Sequence, residues 1–523
     1  MNQIPHRDEL WDKLDQTWDL IIIGGGITGA GIFNLASRKG LKTLLVEQRD
    51  FAFGTSSRSS KLVHGGLRYL KNLQFNVTRE SVWERERLLN VFPNLIKRMP
   101  FILPIYQRYK FPVWQAKLSL RLYDKFAGIK QHGELDKQNL EKRCKSLDKN
   151  NLSKAFYYHD AVVDDSRLVI RNLFDGFCEN SFAINYAKAE HLLFNKSNQV
   201  KGIFLKDMVH KSPIKEVFGN HVINATGIWA DEVRKDVATS KIIRKLRGSH
   251  LIFSNHRIPI NDAFLMFHPI DGRSLFAIPW ESSTIIGTTD LDHPKEHERK
   301  RPEPFITSTE IDYLLFAANT LFPDLHLSEK DIISTYSGLR PIVFSREESP
   351  SKASRKHKII SEDGLTTIAG GKLTTYFRMA HDVLRNINVK INLPAKPYYS
   401  ISKSLKYNTK YSTQYYQRLS GIYGNYFTEF LESIKTDEIN TIADTSYCWA
   451  ELRWALREEY VFHLEDLLLR RTRIGNLCPS GGTHFEKEIK HIVQSELHWD
   501  EKKWKDEWDK YQNLWHDCYY LPN

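Results

Sequence analysis

A chain of 523 residues has room for about two or three domains and a large apolar core. Its five cysteines (Cys144, Cys178, Cys448, Cys478 and Cys518) form no CxxC pair, which argues against a disulfide framework, a zinc site or an iron–sulfur cluster and for a reducing, cytoplasmic setting. The formal charge of +12 admits nucleic acid, anionic lipid or an anionic substrate as partner, but it is small enough for an ordinary solvated basic surface.

Residues 1–17 mix Asp8, Glu9, Asp12 and Asp15 with a few bases and hold no apolar core. They are expected to be an N-terminal extension, neither signal nor transit peptide. No run reaches the roughly 18 apolar residues that span a bilayer. The apolar, β-branched run 20–23 predicts a buried strand, bounded by the glycines that follow it. Gly24-Gly25-Gly26-Ile27-Thr28-Gly29 then carries the GxGxxG spacing of a dinucleotide turn. Its first glycine turns the chain, its second admits a pyrophosphate close to the backbone, and its third lets helix pack on strand. A helix over 27–39 would aim its N-terminal amides at that pyrophosphate, and Gly40 suits its C-terminal cap. A second strand over 41–46 delivers Glu47, 18 residues after Gly29, where an acid accepts ribose hydroxyls.

The stretch 48–70 is too polar and glycine-rich for a strand and too long for an idle loop. Its hydroxyls and amides could wrap a cofactor, with Lys61, His64 and Arg68 supplying charge. A helix is expected over 77–91 with Glu80, Glu84 and Arg87 on its exposed face. From 93 to 127 bases such as Lys97, Arg108, Lys110, Lys117 and Arg121 interleave with Phe101, Tyr106, Trp114 and Tyr123. Two readings fit this stretch: a peripheral membrane surface, or a two-sided helix whose aromatics face the core. Residues 136–154 are polar and read as external. The stretch 157–168 reads as a strand running into a helix, capped by Asp165 or Ser166. Strands are expected at 183–189 and 200–206. The run 221–227 should return to the sheet beside the first strand and bring Thr226 and Gly227 near the cofactor. Segments 251–254, 275–279 and 284–288 read as antiparallel strands of a second sheet, with Asp271-Gly272 marking a hairpin. The stretch 365–376 repeats the opening logic of strand, paired glycines (Gly370-Gly371) and helix. Beyond a polar linker, 392–410, residues 411–523 are helical by periodicity, through Leu452, Leu456, Tyr460, Leu464, Leu467 and Leu468. Six of the twelve tryptophans lie between Trp449 and Trp515, enough for a small independent helical core.

These stretches, together with Gly54-Thr55-Ser56-Ser57-Arg58-Ser59-Ser60-Lys61-Leu62-Val63-His64-Gly65-Gly66-Leu67-Arg68-Tyr69-Leu70, the 222–227 turn, Gly248-Ser249-His250, the 286–290 and 336–341 segments and Ala369-Gly370-Gly371-Lys372-Leu373-Thr374, carry a resemblance. From about 18 to about 515 the chain resembles the FAD-dependent glycerol-3-phosphate dehydrogenases, flavoproteins with the D-amino-acid-oxidase type of fold. The resemblance implies an α/β architecture: a Rossmann-type FAD-binding domain and an antiparallel substrate sheet (mainly about 245–335), interleaved over 18–391, with a C-terminal α-helical cap domain. It implies oxidation of sn-glycerol 3-phosphate to dihydroxyacetone phosphate, with hydride passing to flavin N5 and the electrons going on to a membrane quinone. A possible homodimer follows by the same analogy, whereas peripheral contact with the inner membrane rests on the Lys97–Phe126 stretch and on the need to reach quinone; no nucleic-acid partner is expected. Two positions depart from the family: Ile228 stands where proline is usual, and Arg247 where lysine is usual. Arg247 keeps charge but not ammonium geometry, so it is given no catalytic role.

The chemistry needs a cationic clamp for a phosphate dianion, a group to take the hydroxyl proton, and a flavin held against C2. Arg340 and Arg68 are the clamp candidates through their bidentate forks; a surface salt bridge is the competing reading for each. Lys372 should reach the phosphate or the alkoxide oxygen, with a purely FAD-phosphate role as its rival. His64 is the natural base, and a packed histidine holding the 56–66 loop fits nearly as well. Tyr69 lines the pocket or packs in the core, and His250 reads as structural or as a support standing behind the residues that touch substrate. FAD is expected near Gly24, Gly25, Gly26, Thr28, Gly29, Glu47, Gln48, Thr55, Ser56, Ser60, Lys61, Leu62, Gly227, Gly371, Lys372 and Thr374; no metal is implied. The alternatives are a glycerol-3-phosphate oxidase passing electrons to oxygen, an amine or amino-acid oxidase needing only a carboxylate clamp, and a degenerate basic lipid- or RNA-binding module. The intact glycines and the His64/Lys372 set argue against the last.

Overall fold

The computed structural model describes the chain apart from residues 1–5, 72–73, 110, 211, 295, 298–300, 302, 345–355, 397–412, 436 and 523 and the side chains of Arg68 and Lys71. Most of the expected 392–410 linker therefore lies outside the described residues.

The opening strand, Trp18–Ile23, sits in the middle of a mainly parallel sheet. It pairs with Thr43–Val46 on one side and with Lys215–Asn224 on the other, so that Ile23 lies level with both Val46 and Asn224. Apart from the half-buried Asp19 the strand is apolar, because both of its faces are covered. Leu20 and Ile22 enter one core, while Trp18, Ile21 and Ile23 enter another on the opposite face. Burying each such side chain contributes about 1.5–3 kcal/mol. Leu365–Gly370 continues the parallel set, and His357–Glu362 closes that edge as an antiparallel partner. The strand ends that carry the glycine turns thus lie side by side. Helix Ile27–Arg38 covers one face, packing on Asp165–Gly176 and Tyr376–Asn386.

The second sheet is built around Ile243–Ser254, which pairs antiparallel with Ile332–Val343 and with Ser283–Gly287. Ala263–Phe267 and Ser274–Trp280 form the expected hairpin, with Gly272 at φ +70° in its turn. The sheet also recruits Leu62–Val63, Lys97–Tyr106 and Leu152–Val162, well outside the 245–335 range read from sequence.

Several local expectations are corrected. Lys97–Tyr106 is a strand that buries Phe101 and Tyr106, so the exposed bases and aromatics of this stretch lie mainly on helix Val113–Ala127. Glu84 in helix Phe75–Val91 is buried and paired with Arg87, because that face packs inward. The cap of helix Asp165–Gly176 is Asp164, whose carboxylate accepts from the amides of Ser166 (3.1 Å) and Arg167 (3.2 Å). Residues 136–154 are not wholly external, since Leu140, Cys144 and Leu147 are buried. Helix Trp449–Glu458 ends before Tyr460, which has φ +51°. Among the described residues, the C-terminal helices share their apolar clusters with the sheets. Trp504, Trp508 and Trp515 share one apolar cluster with Phe101, Leu265 and Ile278 of the second sheet, and Trp454 joins the cluster beneath the opening strand. No helix among the described residues is long and apolar enough to cross a membrane.

Candidate active site

The end of the opening strand turns at Gly24, φ +112°. A side-chain carbon on Gly29 would lie 1.9 Å from the Gly24 carbonyl oxygen, so strand and helix meet only because Gly29 has none. Gly26 stands at the helix N-terminus, where Ser56 Oγ accepts from the amide of Ile27 (2.9 Å). Glu47 closes the far side. Its carboxylate accepts from the amides of Gly25 (2.7 Å) and Arg49 (2.9 Å), while burial pushes its pKa upward. Gly24, Gly26, Thr28, Glu47, Gln48, Thr55, Ser56, Gly227, Gly371 and Lys372 line one cleft of about 280 Å³. Gly227 (φ +60°) and Gly371 (φ +91°) bring backbone from two other strand ends to the same cleft. Thr55 is held there by its own hydroxyl, which donates to the carbonyl of Leu339 (2.5 Å).

This cradle fits a dinucleotide. Side chains at Gly24, Gly29 or Gly371 would collide with neighbouring atoms, the helix N-terminus faces the cleft, and the acid stands where ribose hydroxyls would donate. Gly24, Gly26, Thr28, Thr55 and Ser56 would hold the pyrophosphate, and Glu47 and Gln48 the adenosine end.

A second cavity, of about 190 Å³, shares Thr55, Ser56, Pro341, Gly371 and Lys372 with the first. It brings together Ser60, Leu62, His64, Tyr69, His250, Arg340 and Thr374. Arg340, on the strand Ile332–Val343, is anchored through Asp290 (2.9 Å), the Thr289 carbonyl (3.1 Å) and Thr288 Oγ1 (2.9 Å). It can approach only because Gly248 has no side chain, for a Cβ there would lie 2.2 Å from the guanidinium. Lys372 follows the second glycine pair. Its ammonium sits 3.9 Å above the ring of Tyr69 and donates to Ser81 Oγ (3.1 Å). The amide of His64 donates to Thr374 Oγ1 (3.1 Å), which ties the serine–histidine loop to that same turn. Arg68 begins a short helix, Arg68–Lys71, and its side chain lies outside the described residues.

Two sequence assignments change. Lys61 does not line either cavity: its ammonium is buried against Asp165 (2.7 Å) and the Ser57 carbonyl (2.6 Å). Burial, with the charge of Arg473 added, pushes its pKa down to about 8. The lysine braces the loop from behind because an acid pair waits there. His250, read as structural or as a support behind the substrate residues, stands in the cavity wall itself. Its Nε2 lies 2.8 Å from Ser60 Oγ, and its ring stacks on Tyr336 at 4.5 Å. Burial, with Arg340 and Lys61 nearby, holds it well below the usual histidine range, so it is neutral. Its place two residues after Gly248 is the only sequence signal for this. Arg247 turns instead to Glu310 (2.8 Å), in keeping with the absence of a catalytic assignment. Ile228 takes the proline position inside a short turn, Gly227–Trp229, and is buried beside the cleft.

Comparison with known proteins agrees with this geometry. Residues 19–377 match the family described as FAD dependent oxidoreductase, and residues 374–504 match the C-terminal domain of alpha-glycerophosphate oxidase. The chain is 33% identical over 491 residues to the aerobic glycerol-3-phosphate dehydrogenase of Staphylococcus aureus, covering 87% of this chain and 86% of that one. It is 38% identical over 385 residues to the protein of that name from Staphylococcus epidermidis, covering 72% and 68%. The solved glycerol-3-phosphate dehydrogenase from Bacillus halodurans, complexed with FAD, superposes with a TM-score of 0.77 at 26% identity, over 99% of this chain and 98% of that one. FAD is therefore the dinucleotide that the cradle takes, and the chain belongs to the family of FAD-dependent aerobic glycerol-3-phosphate dehydrogenases.

Proposed function

We propose that this protein oxidises the C2 hydroxyl of sn-glycerol 3-phosphate to dihydroxyacetone phosphate. The observation that carries this reading is the second cavity: two cations, Arg340 and Lys372, and two imidazoles share a small space that adjoins the FAD cleft. A phosphate dianion is met by the guanidinium fork of Arg340, which Asp290 and Thr288 hold in place. Lys372, at the junction of the two cavities, stabilises negative charge on the C2 oxygen. His64 accepts the hydroxyl proton, and the neutral His250 with Ser60 orients the hydroxyl. FAD, when bound, supplies the hydride acceptor at N5 and passes the electrons on to a membrane quinone. The aerobic glycerol-3-phosphate dehydrogenases among the relatives support the choice of substrate.

The test is anaerobic mixing with sn-glycerol 3-phosphate while the flavin absorbance is followed. Bleaching by this substrate, but not by glycerol or D-amino acids, is the expected result. A His64→Asn variant should bleach about 100-fold more slowly. A yellow protein that glycerol 3-phosphate leaves oxidised would overturn the reading. The match of residues 374–504 to a domain named for an oxidase favours one second reading, with oxygen as acceptor. Stoichiometric peroxide during aerobic turnover would decide for it.

Access to quinone requires the bilayer. On helix Val113–Ala127, Trp114 (63% exposed) and Leu118 (51%) share the outer surface with Lys117, Arg121 and Lys125. Positions 114, 118, 121 and 125 fall on one helical face. An apolar centre flanked by bases suits peripheral contact with anionic lipid. The protein should pellet with anionic liposomes at low salt and be released at high salt; no pelleting at low salt removes this part of the reading.

A further inference from the structure

The loop that wraps the cofactor is held from behind by residues more than 400 positions away. At its start, Asp50 is fully buried and clamped by Arg470 Nε (2.5 Å) and by both terminal nitrogens of Arg471 (2.7 Å each). At its middle, Arg473 donates to the carbonyl of Ser57 (3.2 Å) and bridges Asp164 (2.8 Å) and Asp165 (2.6 Å). Asp165 in turn accepts from the amide (2.9 Å) and the hydroxyl (2.7 Å) of Ser59 and from Lys61 (2.7 Å). Tyr519, on the last helix, meets Arg58 (2.9 Å) and donates to Glu303 (2.7 Å), the buried acid with which Arg58 pairs; the same guanidinium also donates to the Phe53 carbonyl (2.5 Å). None of Arg470, Arg471, Arg473 or Tyr519 lines either cavity. Between these anchor points stand Thr55 and Ser56, which face the FAD cleft.

Arg470 and Arg471 belong to one buried π-helical turn, Leu467–Arg471, and Arg473 follows it as the residue that opens the next short helix, Ile474–Leu477. Arginine suits the position because a fork can bond two carboxylates and a carbonyl at once, which an ammonium on a flexible stem does less well. A loop shaped in advance binds its ligand without first losing its own conformational freedom.

We propose that Arg473 is a positioning residue for FAD: the C-terminal helical segment, through this guanidinium, sets the shape of the 50–61 loop and so determines cofactor affinity. The inference needs FAD but is independent of which substrate the enzyme oxidises. By linkage, FAD in turn tightens the docking of the segment on the loop.

The experiment uses full-length protein stripped of FAD and retitrated with FAD, following quenching of flavin fluorescence. Arg473→Met should weaken FAD binding by about tenfold or more, and Arg473→Lys should recover part of the loss. Tyr519→Phe, a milder change at the other anchor, should weaken it by a few-fold. Arg418→Met serves as the control, because it breaks a buried pair with Glu451 (2.9 Å) in the same segment without touching the loop. It should lower the thermal midpoint of the FAD-free protein yet leave FAD affinity unchanged. Wild-type affinity in a folded Arg473→Met, or an equal loss in Arg418→Met, would overturn the proposal. If Arg473→Met does not fold, Tyr519→Phe decides: wild-type FAD affinity in that variant overturns it as well.

Discussion

Replacing Arg340 with methionine is expected to lower kcat/KM for sn-glycerol 3-phosphate by about a thousandfold, equivalent to about 4 kcal/mol. The guanidinium is a partly buried cation in the small cavity, fixed by Asp290 and Thr288. On the proposed reading, its loss removes charge-assisted bonds to a dianion, and it leaves Asp290 facing the place where the phosphate would sit. The charge there changes from attractive to repulsive, which is why the effect should exceed that of an ordinary lost hydrogen bond. Because Arg340 does not line the FAD cleft, the variant should remain yellow with near-normal FAD affinity. The signature is a KM that rises far more than kcat falls, measured by steady-state reduction of a dye. An unchanged KM would show that the phosphate binds elsewhere.

Gly29→Ala should yield a colourless protein. The added carbon would lie 1.9 Å from the backbone oxygen of Gly24, and neither partner is the movable tip of a side chain. Helix and strand must separate, and that moves the N-terminal amides away from the pyrophosphate. FAD affinity should fall by at least about 100-fold, or about 2.7 kcal/mol. Gly26→Ala offers a graded comparison. There the new carbon meets Ser56 Oγ at 3.1 Å, a contact that a small rotation relieves. Its loss should be nearer tenfold, about 1.4 kcal/mol. Equal FAD titrations for both variants would refute the steric account of the turn.

The turns of the FAD cleft were legible in the sequence, whereas the surroundings of the second cavity were not. Gly24, Gly26, Gly29 and Glu47 could be placed because a dinucleotide turn makes demands within thirty residues: a strand, a turn that excludes side chains, a helix and an acid. The second glycine pair, Gly370-Gly371, was visible for the same reason. Lys61 was misplaced because its sequence neighbours are loop hydroxyls, while its actual partner, Asp165, lies 104 residues on. His250 was undervalued because its meaning comes from Ser60, 190 residues earlier. The basic–aromatic stretch 93–127 divided in two because pairing of Lys97–Tyr106 with Leu152–Val162 drew half of it into a sheet.

By itself, then, the sequence determined the chain's turns, its cofactor cradle and its alternation of strand and helix. These depend on backbone sterics and periodicities that act within one or two elements. Only the tertiary structure decided which charged groups face the cavity and which brace it from behind. A buried ion settles where partners repay its desolvation, and for Lys61, Asp50 and Arg473 those partners come from distant parts of the chain.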